Sequence, residues 1–334
     1  MHFLKKFSWR VKFALDGLRY YPRSFLDSDF WKIVLRSSSS YYSLPFSPQK
    51  IYKPFVEKLV ALFFRKEGFF EFPIDYYGKK FTLRLFSKEE MHGDVSRQFL
   101  ELLFPYMVGE AKKKILQEAT EISRWSFPGM AWEINRSQFH SLYFFPKVRH
   151  LFWSHEGEYD NEKTYLRSGD GVFDIGACMG VFSCLAGLAT GEEGRVYAFE
   201  PLKEWASLLR MNIALNNLHN VTVVEEALGD SPGTVRMEGI TIVDGAGDIP
   251  VTTIDTFVRE QGIERIDFLK MDVEGFERKV LLGGKESLSR FQPRMGICIY
   301  HLPDDPEVLR RIILDINPHY RIERNSTGKK FLVY

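Results

Sequence analysis

The chain has little cysteine, with Cys178, Cys184 and Cys298 the three in 334 residues. So few excludes a disulfide framework and suits a reducing, cytoplasmic setting. Long hydrophobic runs are missing as well. A bilayer span needs about 18 apolar residues, whereas the longest obvious run, Leu59 to Phe64, has six. Lys5, Lys6, Arg10, Lys12, Arg19 and Arg23 interrupt the first 23 residues and leave no apolar core for a signal peptide. There is no internal repeat, and beyond Ser37 to Ser40 no low-complexity tract. A dominant charge sign is also lacking, since the formal net charge is +1. That figure conceals two opposed halves. Residues 1–150 carry 25 Lys and Arg against 15 Asp and Glu, a net of +10, while residues 151–334 carry 20 against 29, a net of −9. The basic, aromatic-rich first half suits docking on the acidic second half, or an anionic partner such as lipid head groups or a phosphorylated glycan carrier.

A length of 334 residues allows two domains, and the pattern changes near residue 150. In residues 1–150 the expectation is an α+β accessory region. Leu4, Phe7, Val11, Leu15 and Leu18 recur at three-to-four spacing, so residues 3–21 read as an amphipathic helix with a basic opposite face. Such a stripe suits packing against its own protein or a dimer partner, and less often a membrane surface on the inner face. The tetraserine with Pro45 and Pro48 reads as a linker. Further helices are expected at 54–65, 94–103 and 110–124, and a hairpin at 72–86 turning near Gly78.

Residues 151–334 read as a second domain in which short apolar strands alternate with helices, the signature of a parallel sheet covered on both faces. Strands are expected near 172–175, 195–199, 221–225, 266–271 and 294–300. Helices are expected near 181–190, 202–216, 254–261, 275–290 and 305–316. The end differs, because 320–323 and 330–333 flank Asn325-Ser326-Thr327-Gly328 and read as a hairpin.

The first expected strand of this domain runs into Asp174-Ile175-Gly176-Ala177-Cys178-Met179-Gly180, and Phe199-Glu200-Pro201 follows about 20 residues later after the second strand. Glycines at 176 and 180 let backbone approach a ligand closely at a strand-to-helix turn. Glu200, at a strand's carboxyl end, is placed to accept hydrogen bonds from two ribose hydroxyls. The Gly-x-Gly-x-x-Gly spacing of a dinucleotide site is absent, with Cys178 between the outer glycines. A nucleoside cofactor without a pyrophosphate is the implication.

Val172 to Ala177, Gly180, Val196 to Pro201, Asn212 with Asn216, Ala227-Leu228-Gly229-Asp230 and Lys270 to Gly275 together resemble the FkbM family of S-adenosylmethionine-dependent O-methyltransferases. The likeness covers roughly residues 165–334. It implies a Rossmann-like, seven-stranded class I methyltransferase sheet closed by an antiparallel hairpin, with S-adenosyl-L-methionine as cofactor. It further implies that Asp174, Gly176, Cys178 and Gly180 meet the methionine portion, Glu200 the ribose, and Glu226 with Ala227 the adenine edge. Cys178 stands where the family usually has Asn, which weakens one hydrogen bond.

Methyl transfer from a sulfonium expels a neutral leaving group, so positioning should dominate. Candidate catalytic residues are Lys270, Asp272, Glu274 and His301. Asp272 ends the fourth parallel strand, where it could hold the cofactor's ammonium, orient the acceptor hydroxyl or ligate a divalent metal. Lys270, on the same face by period two, would depress its pKa or steer an acidic substrate. Glu274 opens the next helix, where it would also serve as a first-turn charge. His301 closes the fifth strand as the candidate base, and an ordinary pKa of about 6.5 would make the rate fall below neutral pH. Many family members have Glu two residues before this His. Ile299 stands there instead and favours a metal-free reaction. Asn212 and Asn216 suit helix-end hydrogen bonds as well as ligand contacts, and Tyr159 and Tyr165 suit packing or covering the cofactor.

The expected function is O-methyl transfer to a hydroxyl of a sugar, glycolipid or polyketide-like metabolite. Two alternatives are RNA methylation, suggested by the basic first half, and a non-catalytic cofactor-binding scaffold. No RNA-binding signature is legible and the basic residues are dispersed, so a nucleic-acid partner is not expected. Polar groups retained at 270, 272, 274 and 301 argue against the scaffold.

Overall fold

The computed structural model describes residues 64–66, 69–86, 102–103, 106–109, 158–238, 241–243, 247–325 and 328–334. The expected helices at 3–21 and 110–124, the linker, and most of the helices at 54–65 and 94–103 lie outside these residues. The chain divides into two compact units, 63–111 with 156–334 and 1–62 with 112–155, and every described residue belongs to the first. No described helix is long and apolar enough to cross a membrane.

Three antiparallel strands come first: β1 (Phe64–Lys66), β2 (Phe69–Tyr76) and β3 (Lys79–Phe86). The expected helix at 54–65 cannot run to its end, because Phe64 already pairs with Phe70. Pairing with a neighbouring strand overrides local propensity there. Tyr77 and Gly78 turn β2 into β3 at φ 48 and 87, the doubly left-handed geometry of a two-residue hairpin.

The hairpin is tied to the rest of its unit by buried polar bonds. The hydroxyls of Tyr76 and Tyr106 both donate to Asp160, which is 3% exposed. The Tyr76 oxygen also accepts the Leu166 N–H at 2.9 Å. Tyr165 stacks on Tyr77 with ring centroids 4.6 Å apart, so it packs against the hairpin.

Next come β4 (Gly171–Ile175), α1 (Val181–Thr190), β5 (Arg195–Phe199), α2 (Lys203–Leu215) and β6 (Val221–Val224). They form two strand-helix-strand crossovers. Five successive buried residues in β4 are the pattern of a strand covered on both faces. Four short strands missed by the sequence reading follow: β7 (Ala227–Leu228), β8 (Gly233–Glu238), β9 (Thr241–Val243) and β10 (Ile249–Thr252). They make a separate sheet in the order β7-β10-β8-β9.

The chain then returns through α3 (Ile254–Glu260), β11 (Phe268–Met271), α4 (Glu277–Leu282), α5 (Lys285–Phe291), β12 (Arg294–Cys298), α6 (Asp305–Ile316), β13 (Ile322–Arg324) and β14 (Lys330–Val333). The single helix expected at 275–290 is two, broken at Gly283-Gly284. A Cβ at Gly283 would lie 2.0 Å from the Gly229 carbonyl oxygen, so an uninterrupted helix with a larger residue has no room.

The main sheet runs β13-β14-β12-β11-β4-β5-β6, parallel from β12 to β6 and antiparallel where β14 meets its two neighbours. This is the seven-stranded, Rossmann-like arrangement of class I methyltransferases. Phe173, Phe199, Leu269, Met271 and Ile297 anchor its core. Strand order reverses between β4 and β11, and the ligand crevice of such a sheet opens beyond the carboxyl ends at that point.

Candidate active site

Residues 176–180 and 272–277 leave β4 and β11 at this reversal. The Asp272 N–H donates to the Ile175 carbonyl at 3.0 Å, and the Gly176 and Ala177 N–H groups donate to Phe199. Gly176 has φ 78, and a Cβ on it would lie 1.9 Å from the Asp272 carbonyl oxygen. Only glycine fits where the two strand ends touch. Gly180, also left-handed, caps α1. Asn212, 1% exposed, donates to the Met179 carbonyl at 2.8 Å and so holds the loop to α2. Asn216 caps α2 and exchanges hydrogen bonds with the backbone of Arg84 on β3. Both asparagines are thus helix and loop fasteners.

On the β5 side, Glu200 is 6% exposed. One carboxylate oxygen accepts the Cys178 N–H at 2.8 Å and the other the Leu202 N–H at 2.9 Å. Burial raises its pKa, and the two amides oppose that shift. Each oxygen keeps a second lone pair for a ligand hydroxyl. Cys178 is left-handed at φ 51, where Gly or Asn is more usual. Glu226 and Ala227 follow β6 directly, beside the strand end where the Glu200 N–H donates to Val224.

Lys270 does not face the crevice as a steering charge. It is 5% exposed, 3.0 Å from Asp174, and donates to the Gly176 carbonyl. Burial works against the ammonium, but Asp174 and Asp272 outweigh it and hold its pKa at about 12. Asp174 accepts a hydrogen bond from Ser183 on its other side and is fully buried. These two residues therefore brace the glycine turn from below.

The opposite side of the crevice is built from charge. Asp272 accepts the Tyr159 hydroxyl at 2.7 Å. Burial would raise its pKa, yet Lys270, Lys330 and His301 hold it below the usual carboxylate range. His301 Nδ1 is 2.8 Å from Glu277 Oε1, and Nε2 is 3.5 Å from Asp272 and 3.6 Å from Glu274. Burial alone would lower the imidazole pKa, but the Glu277 hydrogen bond and the charges of Glu277, Asp272 and Glu274 raise it to about 9. The ordinary value of about 6.5 expected from sequence is corrected accordingly, because three carboxylates surround one ring.

Sequence reasoning missed Glu277 and Lys330 and gave Tyr159 no polar role. Glu277 had one available signal, its place in the first turn of a helix four residues after Val273, whose N–H it accepts at 3.0 Å. Lys330 is fully buried with Nζ 3.5 Å from the Tyr159 ring centroid, a cation–π contact. Tyr159 reaches the site because β12 carries glycine beneath it: a Cβ at Gly296 would lie 2.3 Å from the Tyr159 carbonyl oxygen.

The sheet order and the glycine-turn crevice define a methyltransferase-type Rossmann-like domain. Residues 174–322 match the Methyltransferase FkbM domain. Among curated relatives, the 2-O-methyltransferase NoeI of Sinorhizobium fredii is 33% identical over 84 residues, which covers 24% of this chain and 32% of that protein. A probable cobalt-precorrin-6B C(15)-methyltransferase (decarboxylating) of Sulfurisphaera tokodaii is 36% identical over 70 residues, covering 21% and 35%. The chain thus matches about a third of the length of these relatives. The solved structure of Methyltransferase FkbM from Methylobacillus flagellatus KT has a TM-score of 0.42 at 19% identity, covering 73% of this chain and 59% of that one.

Proposed function

We propose that this chain binds S-adenosyl-L-methionine and transfers its methyl group to a hydroxyl of a small molecule or glycan, such as a sugar, glycolipid or polyketide-like metabolite. The observation that carries the reading is the crevice at the strand reversal. A glycine turn and a ribose-facing carboxylate form one side of it, and Asp272 with His301 forms the other. The residues fit the cofactor: the left-handed turn at 176–180 leaves no side chain at Gly176 and Gly180, and Glu200 retains acceptor capacity on both oxygens. When bound, the cofactor supplies an electrophilic methyl on a positively charged sulfur.

In this proposal the chain's own residues position and deprotonate the acceptor. Asp272 stays anionic beside Lys270, Lys330 and His301 and can accept a hydroxyl hydrogen bond on the oxygen opposite Tyr159. His301 has Nδ1 engaged by Glu277 and Nε2 facing two carboxylates, an arrangement that keeps a proton on the ring. Asp272 is therefore favoured over His301 as the group that first receives the hydroxyl proton. A relative named for 2-O-methyl transfer supports oxygen as the acceptor atom. We assign acceptor selection to the basic residues of the first half, on the strength of their charge opposite to the catalytic half.

Labelled S-adenosylmethionine offered with glycans, metabolites and RNA tests the reading. The expected product is a methyl ether on a non-nucleic-acid hydroxyl. Label found in RNA alone, or no cofactor binding by calorimetry, overturns it.

A further inference from the structure

We propose that Arg278 is a positioning residue of the acceptor side: through the buried carboxylate of Asp305 it ties the segment between β12 and α6 to α4, and so holds the His301 ring on Glu277 and beside Asp272. Residues 299–304, which carry His301, belong to no helix or strand. The start of this segment is fixed where the Ile299 N–H donates to the Lys329 carbonyl at 2.9 Å. Asp305 fixes its other end. Oδ2 accepts the Leu302 N–H at 2.7 Å, and the Asp305 N–H donates back to the Leu302 carbonyl at 3.1 Å.

Arg278 joins that turn to α4. Its Nε lies 2.9 Å and its Nη2 2.8 Å from Asp305 Oδ1, and Nη2 also reaches Asp304 at 2.5 Å. The Asp304 side chain is 60% exposed, so that arm contributes little. The Asp305 side chain is fully buried, and its charge there depends on the guanidinium. Together the bonds close a cycle. Glu277, next to Arg278 in the chain, meets His301 Nδ1 at 2.8 Å, while Leu302, next to His301, is bonded to Asp305 and through it to Arg278. Two ties therefore span the same gap between α4 and the segment, one through His301 and one through Asp305. While the second holds, the ring cannot move off Glu277 together with its backbone.

The groups that face the ring are Glu277 from α4 and Asp272 and Glu274 from the end of β11. Tyr300 lies against it with ring centroids 4.2 Å apart, and Lys329 sits over Tyr300 at 4.9 Å. Removing a neighbouring cation favours the charged imidazole, whereas loosening the ring from three carboxylates disfavours it. A role of Arg278 through charge and a role through position thus move the His301 titration in opposite directions. The placement of His301 is independent of methyl transfer, and only its benefit to Asp272 as proton acceptor rests on that reading.

The test is a pH titration of the imidazole nitrogens by NMR in the 15N-labelled full chain, with no cofactor or acceptor present. Wild-type His301 should titrate at about 9. In Arg278→Met the midpoint should fall by at least about one pH unit. In Arg278→Lys, which keeps the charge but lacks the planar fork, it should fall by a smaller amount. A midpoint that stays or rises in either variant overturns the proposal, and Arg278→Lys decides alone if Arg278→Met fails to fold. An equal shift at exposed His219 also overturns it, as does a wild-type His301 midpoint at the ordinary value of about 6.5, since the ring would then not be held on Glu277. Failure to transfer methyl to any acceptor would leave these midpoints unchanged, so the two readings fail separately.

Discussion

The two sides of the crevice are made of different materials. The β4–β5 side consists of backbone: a left-handed glycine turn, amides of residues 178 and 202 bound to Glu200, and a buried Lys270–Asp174 pair beneath. The β11–β12 side consists of side-chain charge, with Asp272, Glu274 and Glu277 around His301. A ligand held by backbone is recognised by shape and fixed hydrogen bonds, which suits a constant cofactor. One held by charge is recognised through its proton, which suits a reacting hydroxyl. The two sides meet where Gly176 touches the Asp272 carbonyl and the Asp272 N–H donates to Ile175.

That point is where the comparison can be broken most severely. A Cβ 1.9 Å from a backbone oxygen at φ 78 has no relief short of moving β4 from β11. Gly176→Val should therefore eliminate measurable cofactor binding and destabilise the fold by several kcal/mol. Calorimetry and thermal melting read both, and binding within tenfold of wild type would remove the turn from the cofactor side.

The next effect separates the sides. His301→Ala touches the acceptor end alone, where it deprives Asp272, the proposed proton acceptor, of a cationic neighbour, so turnover should fall at least about tenfold while cofactor affinity stays nearly constant. Asp272→Asn should lower both, because Asp272 also faces Lys270 under the turn. If both variants change affinity and turnover in equal proportion, the two sides are not distinct.

Glu200→Ala should act in the opposite sense, on affinity more than on turnover. The loss of a charged acceptor costs about 1.5–3 kcal/mol, or about 10- to 150-fold. Two backbone amides lose their partner as well, so the upper part of that range is expected. Unchanged affinity would show that the carboxylate only ties Cys178 to Leu202.

How far this division was legible in the sequence follows from the same difference. Backbone recognition demands glycine at fixed spacing, and Gly176, Gly180 and Glu200 could be read in a line; the strand at 195–199 and the helices at 181–190 and 305–316 fell where periodicity put them. Charge recognition assembles residues 159, 272–277, 301 and 330 through strand order, and nothing in local pattern says that β14 lies beside β12. Lys330 looked like a hairpin residue and Tyr159 like packing. The sheet at 227–252 was missed because its strands, of two to six residues, are too short for alternation to register.

The smallest expected effect lies outside the crevice, where Asp160 joins the hairpin to the segment carrying Tyr159. Burial raises the Asp160 pKa from 3.8 to about 6, although the Tyr106 and Tyr76 hydroxyls and Lys330 favour its charged form. A carboxyl with a raised folded-state pKa contributes stability that is complete below its unfolded value. That contribution disappears as pH rises through the folded value. Between about pH 4 and pH 6 the wild type should lose up to roughly 3 kcal/mol relative to Asp160→Asn, at 1.36 kcal/mol per pH unit, with relaxation around the tyrosines reducing the figure. Denaturant midpoints for both proteins across that range provide the measurement. Parallel curves would mean that the Tyr106 and Tyr76 hydroxyls and Lys330 offset burial completely, so that Asp160 keeps its unfolded-state pKa. Cofactor affinity should be the same in both proteins, since Glu200 and the glycine turn make no bond to the anchor, and a shift in affinity would mean that the hairpin braces the crevice as well as the fold.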